Sequence, residues 1–135
     1  MTSSINVSKR SIQLLRIMVS GIFLVAGFNH LVEIEKTTHR IEMAQFKGFA
    51  MFFGNLELLV ILSGIVMIIA GLSFLIGFKT RWAAIILLAI LIPISITIQV
   101  GQITTLGPLL KNVAIAGGLL FFILNDIKTS KNQNP

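Results

Sequence analysis

Cysteine is absent from this 135-residue chain, and charge is scarce, with only 12% of residues being Asp, Glu, Lys or Arg. A soluble domain of ordinary composition carries about 25%. The first absence excludes disulfide stapling, thiol exchange and cysteine ligation of an iron–sulfur cluster by this chain. The second leaves almost no polar surface to cover one domain's worth of sequence, so hydrocarbon is the expected solvent for most of it. Acids are fewest, five against eleven Lys and Arg. The net charge of +6 does not imply nucleic acid, because the basic residues sit in short clusters at the ends of apolar runs, where membrane proteins keep them.

What fills the chain instead is apolar: 55% hydrophobic residues and a mean hydropathy of +0.92. Four segments stand out, residues 12–32, 56–78, 82–100 and 109–125. Each is near the ~20 residues that cross ~30 Å of hydrocarbon at ~1.5 Å per residue. Backbone groups find no water there, so spans of this length are expected to be helical. The fold class expected is all-α, an integral membrane four-helix bundle. It is flanked by an N-terminal segment, 1–11, and a polar tail, 126–135. Lys9 and Arg10 followed by Ile17 to Ala26 have the outline of a signal peptide, but Leu24-Val25-Ala26 is a poor small-x-small cleavage site. The first span is therefore expected to remain as a helix. Residues 33–54 mix charges with Ile41, Met43, Phe46, Phe49, Phe52 and Phe53. That composition predicts a short amphipathic segment in the membrane interface, acting as an anchor or as a lid.

Lys9, Arg10, Arg16, Lys79, Arg81, Lys128 and Lys131 fall on one side if four helices alternate. The basic bias puts both termini in the cytoplasm. With that orientation as a ruler, His30 lies about 21 Å above Arg16 and Glu57 about 33 Å above Lys79. Gln99 lies about 27 Å above Arg81, and Lys111 about 21 Å above Asn125. Asn29, Gln102 and Asn112 join the same outer layer, so all four helices contribute polar groups to one level. Glu57, Gly64 and Gly71 repeat every seven residues, which predicts that Glu57 faces the bundle along a close-packed glycine stripe. Lys111, Ala114, Gly118 and Asn125 form a similar stripe, and Ser95, Gln99 and Gln102 share a face beyond Pro93. A buried acid and a buried base are each costly alone, so Glu57 and Lys111 are expected to neutralise one another. The candidate ligand-binding set is thus Asn29, His30, Glu57, Gln99, Gln102, Lys111 and Asn112. No metal is expected, since His39 is nine residues from His30 and lies in the polar loop.

The run Gly77-Phe78-Lys79-Thr80-Arg81-Trp82-Ala83-Ala84, preceded by Glu57, Gly64 and Gly71, resembles the DoxX family of small four-helix membrane proteins. There a Glu early in the second helix is followed by glycines and a Gly-x-x-Thr-Arg-x-Ala-Ala-like turn. Gly27-Phe28-Asn29-His30-Leu31 is similar to that family's first-helix ending, and Leu110-Lys111-Asn112 to its fourth-helix opening. The resemblance extends over about residues 12–125; Asn125-Asp126-Ile127-Lys128 replaces the family's usual C-terminal ending. It implies a bacterial plasma-membrane protein of redox context, working beside membrane or periplasmic redox partners. No haem ligand pair or flavin fingerprint is visible, so no cofactor intrinsic to the chain is expected. Three functions compete: a subunit binding a quinone-like molecule at the polar layer, a non-catalytic scaffold whose polar cluster only fixes helix register, and a small-solute transporter that would need oligomerisation to open a path.

Overall fold

Ser8 accepts a hydrogen bond from the Arg10 N–H at 3.3 Å and so caps helix α1 (Lys9–Val32). A computed structural model describes residues 5–101, 103–125 and 127. After α1 the chain makes two short helices, α2 (Ile34–Glu42) and α3 (Lys47–Met51), within the expected amphipathic segment. Asn55 then caps α4 (Leu56–Ile76), its side-chain oxygen taking the N–H groups of Glu57 and Leu58 at 2.9 and 3.2 Å. Helix α5 (Thr80–Ile94) contains Pro93 and runs on into a π-helical turn, Ser95–Gln99. Proline removes one ladder donor from the helix, and the wider turn follows at once. A 3₁₀ turn (Ile103–Thr105) leads into α6 (Leu106–Leu124). Among the described residues there is no strand. Four helical stretches among the described residues are long and apolar enough to cross a membrane: Lys9–Val32, Leu56–Ile76, Thr80–Gln99 and Ile103–Leu124.

Helix α4 stops earlier than the apolar run suggests because Gly77 turns left-handed at φ 82°. The Phe78 N–H then bonds back to the Ser73 carbonyl at 3.0 Å, closing the exposed carbonyls of the last turn. The Arg16 side chain from α1 packs onto this glycine; its guanidinium can swing aside, so it is the left-handed backbone of the α4–α5 turn that calls for glycine.

The main core belongs to the half of the bundle nearest the termini. Phe74 and Phe122 meet edge to face with centroids 4.9 Å apart, and Leu87, Leu119 and Met67 are fully enclosed around them. A separate small cluster, Ile41, Ala50 and Val60, fastens α2 and α3 onto α4 at the other end. The buried stripe of α6 is Asn112, Ile115, Leu119 and Phe122. It is set one residue round from the stripe expected through Lys111 and Ala114, both of which are exposed.

A cleft between the first and last helices

Helix α1 makes two very different seams. Against α4 it lies in close contact, because Gly27 and Gly64 face each other. A Cβ on Gly27 would come 2.8 Å from the Gly64 carbonyl oxygen, and one on Gly64 would come 3.0 Å from the Gly27 carbonyl oxygen and from His30 Cβ. Side-chain-free backbones can approach this closely, and in membranes they commonly mark a helix–helix seam. Against α6, α1 makes far fewer contacts. Gly118 meets Leu15 and Val19 near the termini; beyond that point the two helices frame a cleft of about 700 Å³. Its floor is apolar, with Phe23, Met67, Leu91 and Ile115, and its far end is overhung by Glu33, between α1 and α2, and by Lys36 and Arg40 of α2.

Five of the sequence-derived candidates line this cleft: Asn29, His30, Gln99, Lys111 and Asn112. Gln102 lies outside the described residues. Asn112 is buried, and its amide nitrogen donates to Ser95 Oγ and to Gln99 Oε1, each at 2.9 Å. The Ser95 hydroxyl passes its own proton to the Leu91 carbonyl at 2.7 Å. Ser95 and Gln99, four residues apart on the π-helical turn, lie together under one amide. Asn29 and Lys111 are exposed at the rim.

His30 is half-buried and lines both the cleft and a second chamber of about 210 Å³ behind it, between α2, α3, α4 and α5. The chamber walls are mostly apolar and include Phe49, Phe53, Val60 and Pro93. His30 Nδ1 lies 3.0 Å from Ser63 Oγ, and Ser63 Oγ donates to the Val60 carbonyl at 2.9 Å. A hydroxyl has one proton. With that proton on Val60, the Nδ1–H must be the donor, and Nε2 is left as an acceptor in the neutral ring. The Gly27–Gly64 approach produces this bond, since it sets His30 beside the residue preceding Gly64.

Glu57 does not belong to this assembly. It is exposed in the first turn of α4, its own N–H held by the Asn55 cap, where a carboxylate is favoured by the helix dipole. It borders a separate opening with Glu35, Thr38, His39 and Glu42. The expected pairing with Lys111 is not formed: among the described residues the one ion pair is Lys36–Glu33, at 3.1 Å. The glycine stripe points at α1 through Gly64 and Gly71, but α1 ends at Val32, and the stripe's continuation meets the outside of α2 instead. Sequence reasoning missed Ser63, Thr37 and Arg40. Ser63 was detectable as a hydroxyl one residue before a seam glycine; Arg40 was hidden in a segment whose path was unknown. Among the described residues no group of three or more His, Asp or Glu side chains is placed to hold a metal ion.

A DoxX family model matches residues 11–100. The chain belongs to the DoxX family. The match runs from the first turn of α1 through α5 and the π-helical turn, and ends before α6, so the Gly27–Gly64 seam, His30 and Gln99 lie within it while Lys111 and Asn112 lie beyond. Comparison with curated proteins and with solved structures returned no match.

Proposed function

We propose that this DoxX protein is a membrane subunit that binds a quinone-like amphiphile in the cleft between α1 and α6, as an accessory to a redox-associated assembly. One observation carries the reading: the neutral polar groups of three separate helices border a single cleft whose floor is otherwise apolar. Its volume, about 700 Å³, falls in the range of small-molecule sites. A ring head would lie against Asn112 and Gln99, with a ring hydroxyl donating to His30 Nε2, and the tail would follow Phe23, Met67 and Ile115 toward the lipid. Histidine held as a hydrogen-bond acceptor is suited to take a proton from such a hydroxyl. Electrons would pass to or from a centre carried by a partner, since this chain has no cysteine to ligate a cluster. The distribution of Lys and Arg favours cytoplasmic termini, which turns the cleft toward the outer leaflet, and the likeness to the DoxX family favours the plasma membrane.

The test is titration of a short-chain dimethylnaphthoquinone, oxidised and reduced, into purified protein in detergent, followed by calorimetry. Saturable binding that Asn112→Ala and His30→Ala each weaken supports the reading. Wild-type protein that stays unsaturated up to the solubility of the quinone overturns it.

A scaffold reading has its own observation. Phe46, Phe49, Phe52 and Phe53 are all exposed in and around α3, with Phe52 and Phe53 stacked edge to face at 5.9 Å. An aromatic cluster of this kind suits a partner helix or the membrane interface. If Phe49→Ser and Phe52→Ser release a co-purifying protein while His30→Ala changes nothing in the cell, docking is the function.

A further inference from the structure

The charge around the cleft is unbalanced, and the imbalance says something about the occupant. Four ionised side chains line it: Glu33, Lys36, Arg40 and Lys111. Glu33 is taken by Lys36 at 3.1 Å. That leaves Arg40 from α2 and Lys111 from α6 facing one opening, with no acid in ion-pair range of either among the described residues. Glu57, the acid the sequence offered as a counter-charge, borders a different opening. Lys111 stands in the second turn of α6 and is exposed at the rim of the cleft, where an anionic partner from outside the chain can reach it.

We infer that the cleft takes an amphiphile whose head carries an ionised oxygen, an enolate, carboxylate or phosphate on an apolar body. This rests on the reading of the cleft as a ligand site and narrows the class of ligand. Lys111 and Arg40 bind the anionic oxygen, and charge-assisted hydrogen bonds of this kind are about twice as strong as neutral ones. The amide pair of Asn112 and Gln99 orients the rest of the head, and the apolar floor holds the body. A neutral quinone satisfies the amides and leaves both cations uncompensated. A simple soluble anion does the reverse, leaving the floor wet.

Two matched probes separate these cases: an alkylated hydroxynaphthoquinone, whose ring hydroxyl is ionised at neutral pH, and its methyl ether, which cannot ionise. The wild-type protein in phosphatidylcholine nanodiscs should bind the ionised probe about tenfold more tightly than the ether. The double variant Lys111→Met, Arg40→Gln should lose that difference while still binding the ether, and Lys111→Arg, Arg40→Lys should keep it, which separates loss of charge from misfolding. If both probes bind equally, or if the preference survives in the charge-free variant, the inference is overturned and the cleft reading stands. If neither probe binds, both fall. Repeating the titration in phosphatidylglycerol nanodiscs, with protein-free nanodiscs to correct for the repulsion of the anionic probe by the charged surface, distinguishes the sources of the anion: loss of the preference beyond that correction identifies the anionic lipid head as the resident, and its persistence identifies a ring-borne one.

Discussion

The α1–α4 seam and the α1–α6 seam share one helix and could hardly differ more. The first is closed by glycines, with backbone oxygens where side chains would otherwise stand. The second touches at Gly118 and then opens into the cleft. Inside a membrane there is little hydrophobic force to press helices together, so packing shape decides which seams close. A small bundle thereby gains rigidity and a binding space at once. Glycine at 27 and 64 fixes α1 to α4, which frees its other face from having to meet α6 along its whole length.

The sharpest way to break the contrast is at the closed seam. Gly64→Leu places a side chain where a Cβ alone is already 3.0 Å from a backbone oxygen and from His30. Overpacking against backbone cannot be relieved by a rotamer change, and the expected loss is about 3 kcal/mol or more. Thermal unfolding in detergent should show a much lower midpoint, and His30 should lose Ser63. Gly117→Ala is the control, since its Cβ would meet nothing within 4 Å. It should hold or slightly raise the midpoint, because alanine is the better helix former by about 1 kcal/mol. If both variants unfold alike, close approach is not what closes the seam.

The open seam is probed next, with a smaller effect. Asn112→Leu removes both hydrogen bonds to Ser95 and Gln99 and leaves two polar groups to find other partners. In a membrane bundle such changes cost about 1–2 kcal/mol. The variant should stay folded, with a midpoint between those of wild type and Gly64→Leu, and the cleft should lose its quinone binding. A stability loss as large as that at Gly64 would mean that the amide is a structural clamp first, favouring the scaffold reading.

How far the sequence could be read follows the same division. The four spans were legible because membrane length and charge placement are one-dimensional properties, carried by 56–78 or 82–100 without reference to any neighbour. The glycine seam was half legible: Gly64 and Gly71 announced a close approach, but not that its partner was Gly27. The meeting of Asn29, His30, Gln99, Lys111 and Asn112 at one cleft was approached through helix rise, which gives height, and through stripes along single helices, which do not say which neighbour a face meets. Azimuth is what misled the reading of Glu57. Seven-residue spacing carried its direction from Gly64, yet the partner helix had already ended at Val32. The contribution of Arg40 could not be read, because it depends on α2 folding back over the cleft.

The smallest effect is the most discriminating for the charges. A double-mutant cycle on Glu57→Gln and Lys111→Met measures whether the two residues feel each other. Two buried, mutually neutralising groups would show strong coupling, with the second substitution largely rescuing the first. Exposed groups bordering separate openings should be additive to within about 0.5 kcal/mol. Glu57→Gln alone should cost only the interaction of a first-turn carboxylate with its helix, about 0.3–1 kcal/mol, and this should shrink at high salt. Coupling well above that limit would mean that α2 moves aside to let the acid reach the lysine. Lys111 would then already have its counter-ion, and the cleft would have no call for an anionic guest.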